Sequence, residues 1–230
     1  MADIPLQSPS LITCAETGKA CQLQQEMALL RDQVRDLAEK VHTDLLTGLH
    51  NYRYFQEVLP LEMERTLRTG QPLSIILLDV DHFKAFNDRW GHEAGNQALQ
   101  RVGGLINESL RKLDIASRYG GEEFVIILPD TPLKQAIKVA ERLRAMIEEN
   151  PLTLDDTSVT LTVSLGVDEY SFHRGETSVS LLARTDQWLY QAKQAGRNRV
   201  EHPPVSCGEN FVSSEEKAAL FNVFYNSPED

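Results

Sequence analysis

The rhythm of hydrophobic positions changes several times along this chain, and each change marks an element. Leu23, Met27, Leu30, Val34, Leu37 and Val41 recur at alternating spacings of four and three. That is the a/d stripe of a heptad repeat, with Gln, Glu, Arg, Asp and Lys filling the positions between. The remaining helix surface is too polar to bury on a globule. Residues 21–43 are therefore expected to form a parallel dimeric coiled coil rather than a helix folded onto its own domain. Residues 1–20 carry Pro, Ser, Thr and Gly without periodicity and read as a flexible lead.

After a break at Asp44–Asn51, helical and extended patterns alternate. A helix is expected from Tyr52 to Arg68. Leu73–Asp79 is nearly all apolar, the mark of a strand buried on both faces. Helix returns over 93–111. Gly120-Gly121 stands between the apolar runs Ile115-Ala116 and Val125–Leu128, which predicts a tight hairpin whose glycines supply φ > 0. Thr131-Pro132 reads as N-cap and first residue of a helix that Asn150-Pro151 stops. A strand over Val159–Val167, a helix from Ser180 to Gln194 ended by Gly196, and a short strand over 198–201 complete the pattern. Helices over a central, mostly antiparallel sheet follow from this order, an α/β (α+β) domain over 44–201. Residues 202–230 read as a linker, His202-Pro203-Pro204, and a tail whose short helix is capped at Ser214.

Composition narrows the partners. At 230 residues and 41% hydrophobic, the chain holds one ordinary domain plus extensions. A net charge of −11 argues against a broad nucleic-acid-binding face, yet leaves room for a small phosphate ligand. No run is long enough for a transmembrane helix, so no membrane insertion is expected. No basic-then-apolar leader opens the sequence, so the expected location is cytoplasmic. Cys14, Cys21 and Cys207 lack disulfide-framework and zinc-site spacing and read as free thiols.

The candidate chemistry begins at the hairpin. Glu122 and Glu123 follow the glycines; they repel each other, and a turn does not require them. Paired acids at a rigid tip suit a hard divalent cation. Asp79, at the end of the central strand, is placed to join them if the hairpin pairs alongside, because ligands in α/β sheets bind outside strand ends. Arg118-Tyr119-Gly120-Gly121-Glu122-Glu123-Phe124, with Asp79-Val80-Asp81-His82-Phe83-Lys84 and Asp44–Asn51, resembles the GGDEF family of diguanylate cyclases. The resemblance runs from about Asp44 to about Val200.

It implies a ferredoxin-like nucleotidyl-cyclase palm that joins two GTP into cyclic di-GMP and releases two pyrophosphates. It implies Mg²⁺, or Mn²⁺, held by Asp79, the Val80 carbonyl and Glu122, with Glu122 or Glu123 assisting deprotonation and Lys84 stabilising developing charge. Phe83 and Lys84 would meet the phosphates, Lys193 and Arg197 the terminal ones, and Asn87, His92 and Asn96 the guanine side. Arg111 and Asp114 match the family's Arg-x-x-Asp inhibitory site for product, and Arg142 a further product-binding arginine. Two positions depart from the family pattern. Tyr52 stands where Arg is usual. Asn96 stands where Asp is usual, and a single amide oxygen is a weaker acceptor for the two guanine donors than a carboxylate. Since each domain has residues for one triphosphate, the product requires a homodimer. The alternatives are a catalytically weak module that only binds cyclic di-GMP, a relaxed cyclase that also makes mixed cyclic GMP–AMP, and a scaffold in which the coiled coil is the function.

Overall fold

The structure is a computed structural model that describes residues 26–33, 42–155, 157–171 and 175–205. Residues 26–33 are helical and exposed throughout. Met27 and Leu30 of the heptad stripe fall there; Leu23, Val34, Leu37 and Val41 lie outside the described residues, as do the flexible lead and the tail helix.

The domain follows as α1 (Tyr52–Thr69), β1 (Leu73–Val80), α2 (Phe83–Ser109), β2 (Ile115–Arg118), β3 (Glu123–Pro129), α3 (Leu133–Glu149), β4 (Leu152–Leu154), β5 (Thr157–Val159), β6 (Val163–Glu169), α4 (Ser178–Gln194) and β7 (Val200–Glu201). Five strands form the main sheet in the order β2-β3-β1-β6-β7, and β4-β5 make a small ribbon. All pairs in the main sheet are antiparallel except β6 with β7. The expected fold class is therefore the observed one.

β1 lies at the centre, and its eight residues are all buried. Their alternation sorts two cores. Ile76, Leu78 and Val80 share one face with Phe124, Ile126 and Leu128, under Val102 and Ile106 of α2 and Ala140 and Leu143 of α3. Leu73, Ile75 and Leu77 share the other with Val125 and Ile127, under Phe55 and Leu59 of α1 and Leu181 and Leu189 of α4. Each such leucine or isoleucine contributes about 1.5–3 kcal/mol by leaving water.

Several boundaries differ from the sequence reading. α2 begins at Phe83, ten residues before the expected start, and turns through a kink at Gly91. The 83–90 stretch mixes polar and aromatic residues in a way that hides its period. α3 begins one residue later than expected, with Pro132 as its cap. The Thr131 hydroxyl turns back to donate to the Pro129 carbonyl at 2.8 Å, and the Leu133 N–H donates instead to Glu169 Oε2 at 2.6 Å. The single strand expected over Val159–Val167 is two elements, because β5 ends at Val159 and β6 starts only at Val163. Neither hairpin glycine has a positive φ. Gly120 serves close approach instead: a Cβ there would sit 2.6 Å from Glu123 Oε2. No helix among the described residues is long and apolar enough to cross a membrane.

Candidate active site

The sheet register assembles the carboxylates. Asp79 has the strand parity of Leu77 and faces α1 and α4; its cross-strand partner on β3 is Glu123. Sequence reasoning expected Asp79 to converge with Glu122. The register places Glu123 opposite it, while Glu122 joins through its backbone, its carbonyl accepting the Val80 N–H at 3.2 Å. Two like charges across a non-polar sheet end are unfavourable. Burial pushes the Asp79 carboxyl up, and nearby Lys193 only partly offsets this. Burial, then the Asp79 charge, raises Glu123 as well.

Lys193 answers that charge. α4 runs back over the sheet and brings Nζ to 2.8 Å from Asp79 Oδ2, with the Asp79 side chain 12% exposed. Arg197, just beyond the helix, also favours the ionised Asp79 electrostatically. An ammonium thus sits against Asp79, the carboxylate that the sequence reading offered to a cation. Among the described residues no three His, Cys, Asp or Glu side chains cluster as a metal cage. Two or three carboxylates without a full cage fit Mg²⁺, which keeps waters and substrate phosphates among its ligands.

Arg118 holds the tip of the hairpin, a role the sequence did not reveal. Its guanidinium donates to the Gly121 carbonyl from Nε at 3.1 Å and from Nη2 at 2.7 Å. Nη1 reaches Asp44 Oδ2 at 3.3 Å. Asp44 in turn accepts from the Thr47 amide at 2.9 Å and its hydroxyl at 2.7 Å. Burial alone would raise the Asp44 carboxyl, but Thr47 and Arg118 together hold it below the usual range. The turn at Asp44–Thr47 is thereby tied to the Gly-Gly hairpin. From below, Tyr52 and Phe55 meet the Tyr119 ring edge-on, at 5.1 and 5.7 Å. Tyr52, the departure from the family pattern, is thus part of the packing under the hairpin.

The α2 residues border the other side of the strand end. Phe83 is buried and stacks on Phe86, while Lys84 is exposed in the first turn. Asn87 Oδ1 is buried without a hydrogen-bond partner. Gly95 makes room for it, since a Cβ at 95 would lie 1.9 Å from that oxygen. An amide oxygen buried in this way lacks the donor that such groups ordinarily find. His92 and Asn96, past the kink, are both exposed.

Arg111 and Asp114 stand apart from this cluster. They line a polar cavity of about 280 Å³ together with Thr43, His50, Asn107 and Lys112. Asp114 Oδ2 accepts the Arg111 backbone N–H at 2.9 Å, closing the turn and leaving the guanidinium outside that bond. Arg142 is not in the lining; its Nη2 donates to the Ser109 carbonyl at 2.7 Å and caps α2. A larger, apolar cavity of about 440 Å³ between α1 and α4 is lined by Tyr52, Phe55, Leu77, Tyr119 and Leu182 and by none of the predicted site residues.

Comparison with known proteins agrees with this geometry. The family described as "Diguanylate cyclase, GGDEF domain" matches residues 41–199. The chain belongs to the GGDEF family. Response regulator PleD of Caulobacter vibrioides is 40% identical over 173 residues, which cover 74% of this chain and 38% of PleD. Diguanylate cyclase DgcP of Pseudomonas aeruginosa is 38% identical over 179 residues, covering 78% of this chain and 26% of DgcP. The chain therefore spans well under half the length of these relatives. Among solved structures, the coiled coil and GGDEF domain of DgcB from Caulobacter crescentus, in complex with c-di-GMP, superimposes with a TM-score of 0.68. It is 32% identical and covers 78% of this chain and 95% of its own. The active GGEEF domain of a diguanylate cyclase from Vibrio cholerae gives 0.62 at 32% identity, over 68% of this chain and 98% of its own. The GGDEF resemblance read from Arg118–Phe124 is thus confirmed.

Proposed function

We propose that this GGDEF domain is an active diguanylate cyclase that condenses two GTP into cyclic di-GMP. The observation that carries the reading is the desolvated Asp79–Glu123 pair, with Lys193 against Asp79, at the end of the central strand. Asp79, Glu122, Glu123 and the Val80 carbonyl would hold Mg²⁺, which when bound lowers the pKa of the attacking hydroxyl and offsets charge on the transferring phosphate. Lys84 and the Phe83 backbone, at the start of α2, would cradle the phosphates. Lys193 would turn from Asp79 to the terminal phosphates, and Arg197 would add a bidentate fork. Asn87 and Asn96, with His92 nearby, read the base, the orphaned Asn87 oxygen accepting from a guanine N–H. In each half-reaction the 3′-oxygen of one GTP forms a bond to the α-phosphorus of the other. The bond to the β-phosphate bridging oxygen breaks, pyrophosphate leaves with the electron pair, and the hydroxyl proton passes to Glu122, Glu123 or water.

Purified protein with GTP and Mg²⁺ tests the reading. Pyrophosphate release with cyclic di-GMP formation is the expected result. Product binding without turnover would leave only a sensor, and neither activity would leave only a scaffold.

Feedback has its own expectation. Arg111 and Asp114 border a polar cavity remote from the carboxylates, and a guanidinium with a carboxylate suits a guanine edge. Product bound there must favour an arrangement less competent for catalysis. Arg111→Ala should raise the cyclic di-GMP level at which the reaction stalls, by about 5- to 150-fold if the coupling is of ordinary size. A progress curve that stalls at the wild-type level refutes this site.

Base choice tests Asn96. Losing a hydrogen bond to a charged acceptor costs about 1.5–3 kcal/mol. In a GTP/ATP mixture the wild type should incorporate more adenine than Asn96→Asp, with mixed cyclic GMP–AMP as the visible product. Identical product ratios for the two proteins would show that the exposed amide plays no part in selection.

A further inference from the structure

Three successive residues take left-handed backbone angles where α4 gives way to β7: Gly196 at φ 114°, Arg197 at 64° and Asn198 at 44°. Glycine does so freely, whereas arginine does so rarely and only where its surroundings over-determine it. Here hydrogen bonds fix the backbone on both sides of the Arg197 side chain. The Arg197 N–H donates to the Ala192 carbonyl at 3.0 Å. The Asn198 N–H donates to Asp81 Oδ2 at 3.0 Å. Asp81 is a buried carboxylate that the Thr162 and Ser164 hydroxyls hold at 2.8 and 2.6 Å.

The Asn198 side chain then closes a ring with α3. Its amide donates to Glu148 Oε1 at 2.8 Å, and its carbonyl oxygen accepts from Arg144 Nη1 at 2.9 Å. Arg144 Nη1 also donates to Glu148 Oε2 at 2.8 Å. Such a ring needs a donor and an acceptor on one short side chain, which asparagine supplies and aspartate does not. Arg144 is further pinned by Glu141 Oε2, 3.0 Å from its Nε. None of these three side chains pairs with Asp79 or Glu123, yet together they fix the residue next to Arg197.

We propose that the Arg144–Glu148–Asn198 ring is a positioning device for Arg197, so that α3 sets the aim of the guanidinium that grips the terminal phosphates. The inference rests on the reading of Arg197 as a phosphate ligand. A simple clip between α3 and the loop would use the same bonds, but the two roles differ in what they do to substrate. Electrostatics gives a further contrast in sign. Removing the Glu148 charge near a triphosphate would by itself tighten GTP binding, whereas misaiming Arg197 weakens it.

The test measures KM for GTP and kcat in the full-length protein for Glu148→Ala and Asn198→Gly, each alone and combined with Arg197→Ala. Asn198→Gly keeps the left-handed backbone accessible while deleting the ring, and Glu148 lies on the partly exposed side of α3, so the two variants perturb folding differently. Each should raise KM for GTP by about five- to tenfold with kcat changed less than about twofold, and should add less than about twofold in the Arg197→Ala background. An equal rise in both backgrounds makes the ring a clip and overturns the proposal while leaving Arg197 as a ligand. A fall in KM overturns it in favour of plain charge. If Arg197→Ala alone leaves KM unchanged, the phosphate reading fails and the positioning role falls with it.

Discussion

Asp79→Asn should yield a folded protein that no longer turns over GTP, and Glu122→Gln should do the same. Asp79 ends the central strand with its carboxylate opposite Glu123 and 2.8 Å from Lys193 Nζ. Asparagine preserves its volume and leaves Lys193, whose side chain is 31% exposed, free to turn toward water. The stability change should therefore be small, because the burial cost of the Asp79 charge offsets what its pair with Lys193 contributes. Catalysis is another matter. The amide cannot supply the negative charge that a divalent ion requires, and groups that merely orient a metal ligand are already worth about 10- to 100-fold. A loss of at least about a hundredfold is expected for each variant. Circular dichroism and thermal melting establish the fold, and pyrophosphate release reports turnover. Near-wild-type product formation by either variant would remove that residue from the metal site.

The opposite sign is expected for the Asp79–Glu123 repulsion itself. Both carboxyls are raised, chiefly by burial. Folding thus stabilises their protonated forms relative to the unfolded chain, and the pair weakens the fold as pH rises through the raised values. Relieving one charge therefore does not cost stability at neutral pH. This is why a melting temperature at or above that of the wild type, together with lost turnover, is the outcome that separates function from folding here.

How much of this site could be read in the sequence depends on what each residue needed. The β1 run of eight buried residues announced itself, because only Ser74 interrupts its apolar side chains before Asp79. Gly-Gly followed by two acids was equally legible, since local turn chemistry leaves the acids unexplained. Which glutamate faces Asp79 was not legible. It depends on the β1–β3 register, and a one-residue slip exchanges Glu122 for Glu123 on the face. Arg118 was hidden for a similar reason: its partners are a backbone carbonyl three residues on and an aspartate 74 residues away. The early start of α2 was missed because its first turns mix polar and aromatic residues in a way that hides the apolar period. Asp81, quoted in the motif without a role, proves to be the peg that joins the end of β1 to Thr162, Ser164 and Asn198. Only the strand length and the left-handed pair at 197 and 198 could have hinted at it, and φ is not written in a sequence.

Removing residues 1–40, or placing Lys at both Leu30 and Leu37, should give a folded monomer whose specific activity rises steeply with protein concentration. On the proposed reading one domain holds one GTP near Asp79, yet ring closure requires two GTP arranged head to tail, each 3′-hydroxyl facing the other's α-phosphate. Two domains must therefore meet. Met27, Leu29 and Leu30 are 45%, 60% and 58% exposed on the helical segment 26–33, an apolar surface that a second copy would cover. The Asp44–Arg118 link ties the chain just ahead of α1 to the hairpin tip. Joining two domains through such a helix holds the partner at an effective concentration of about millimolar. Wild type should accordingly be a dimer whose specific activity is nearly constant from nanomolar to micromolar protein. The truncated chain, lacking that proximity, should lose activity in proportion to dilution over the same range and regain it only toward millimolar concentration. Light scattering fixes the oligomeric state of each sample in which turnover is measured. A truncated protein that is monomeric and keeps full specific activity at nanomolar concentration would show that the two active halves meet without the helix.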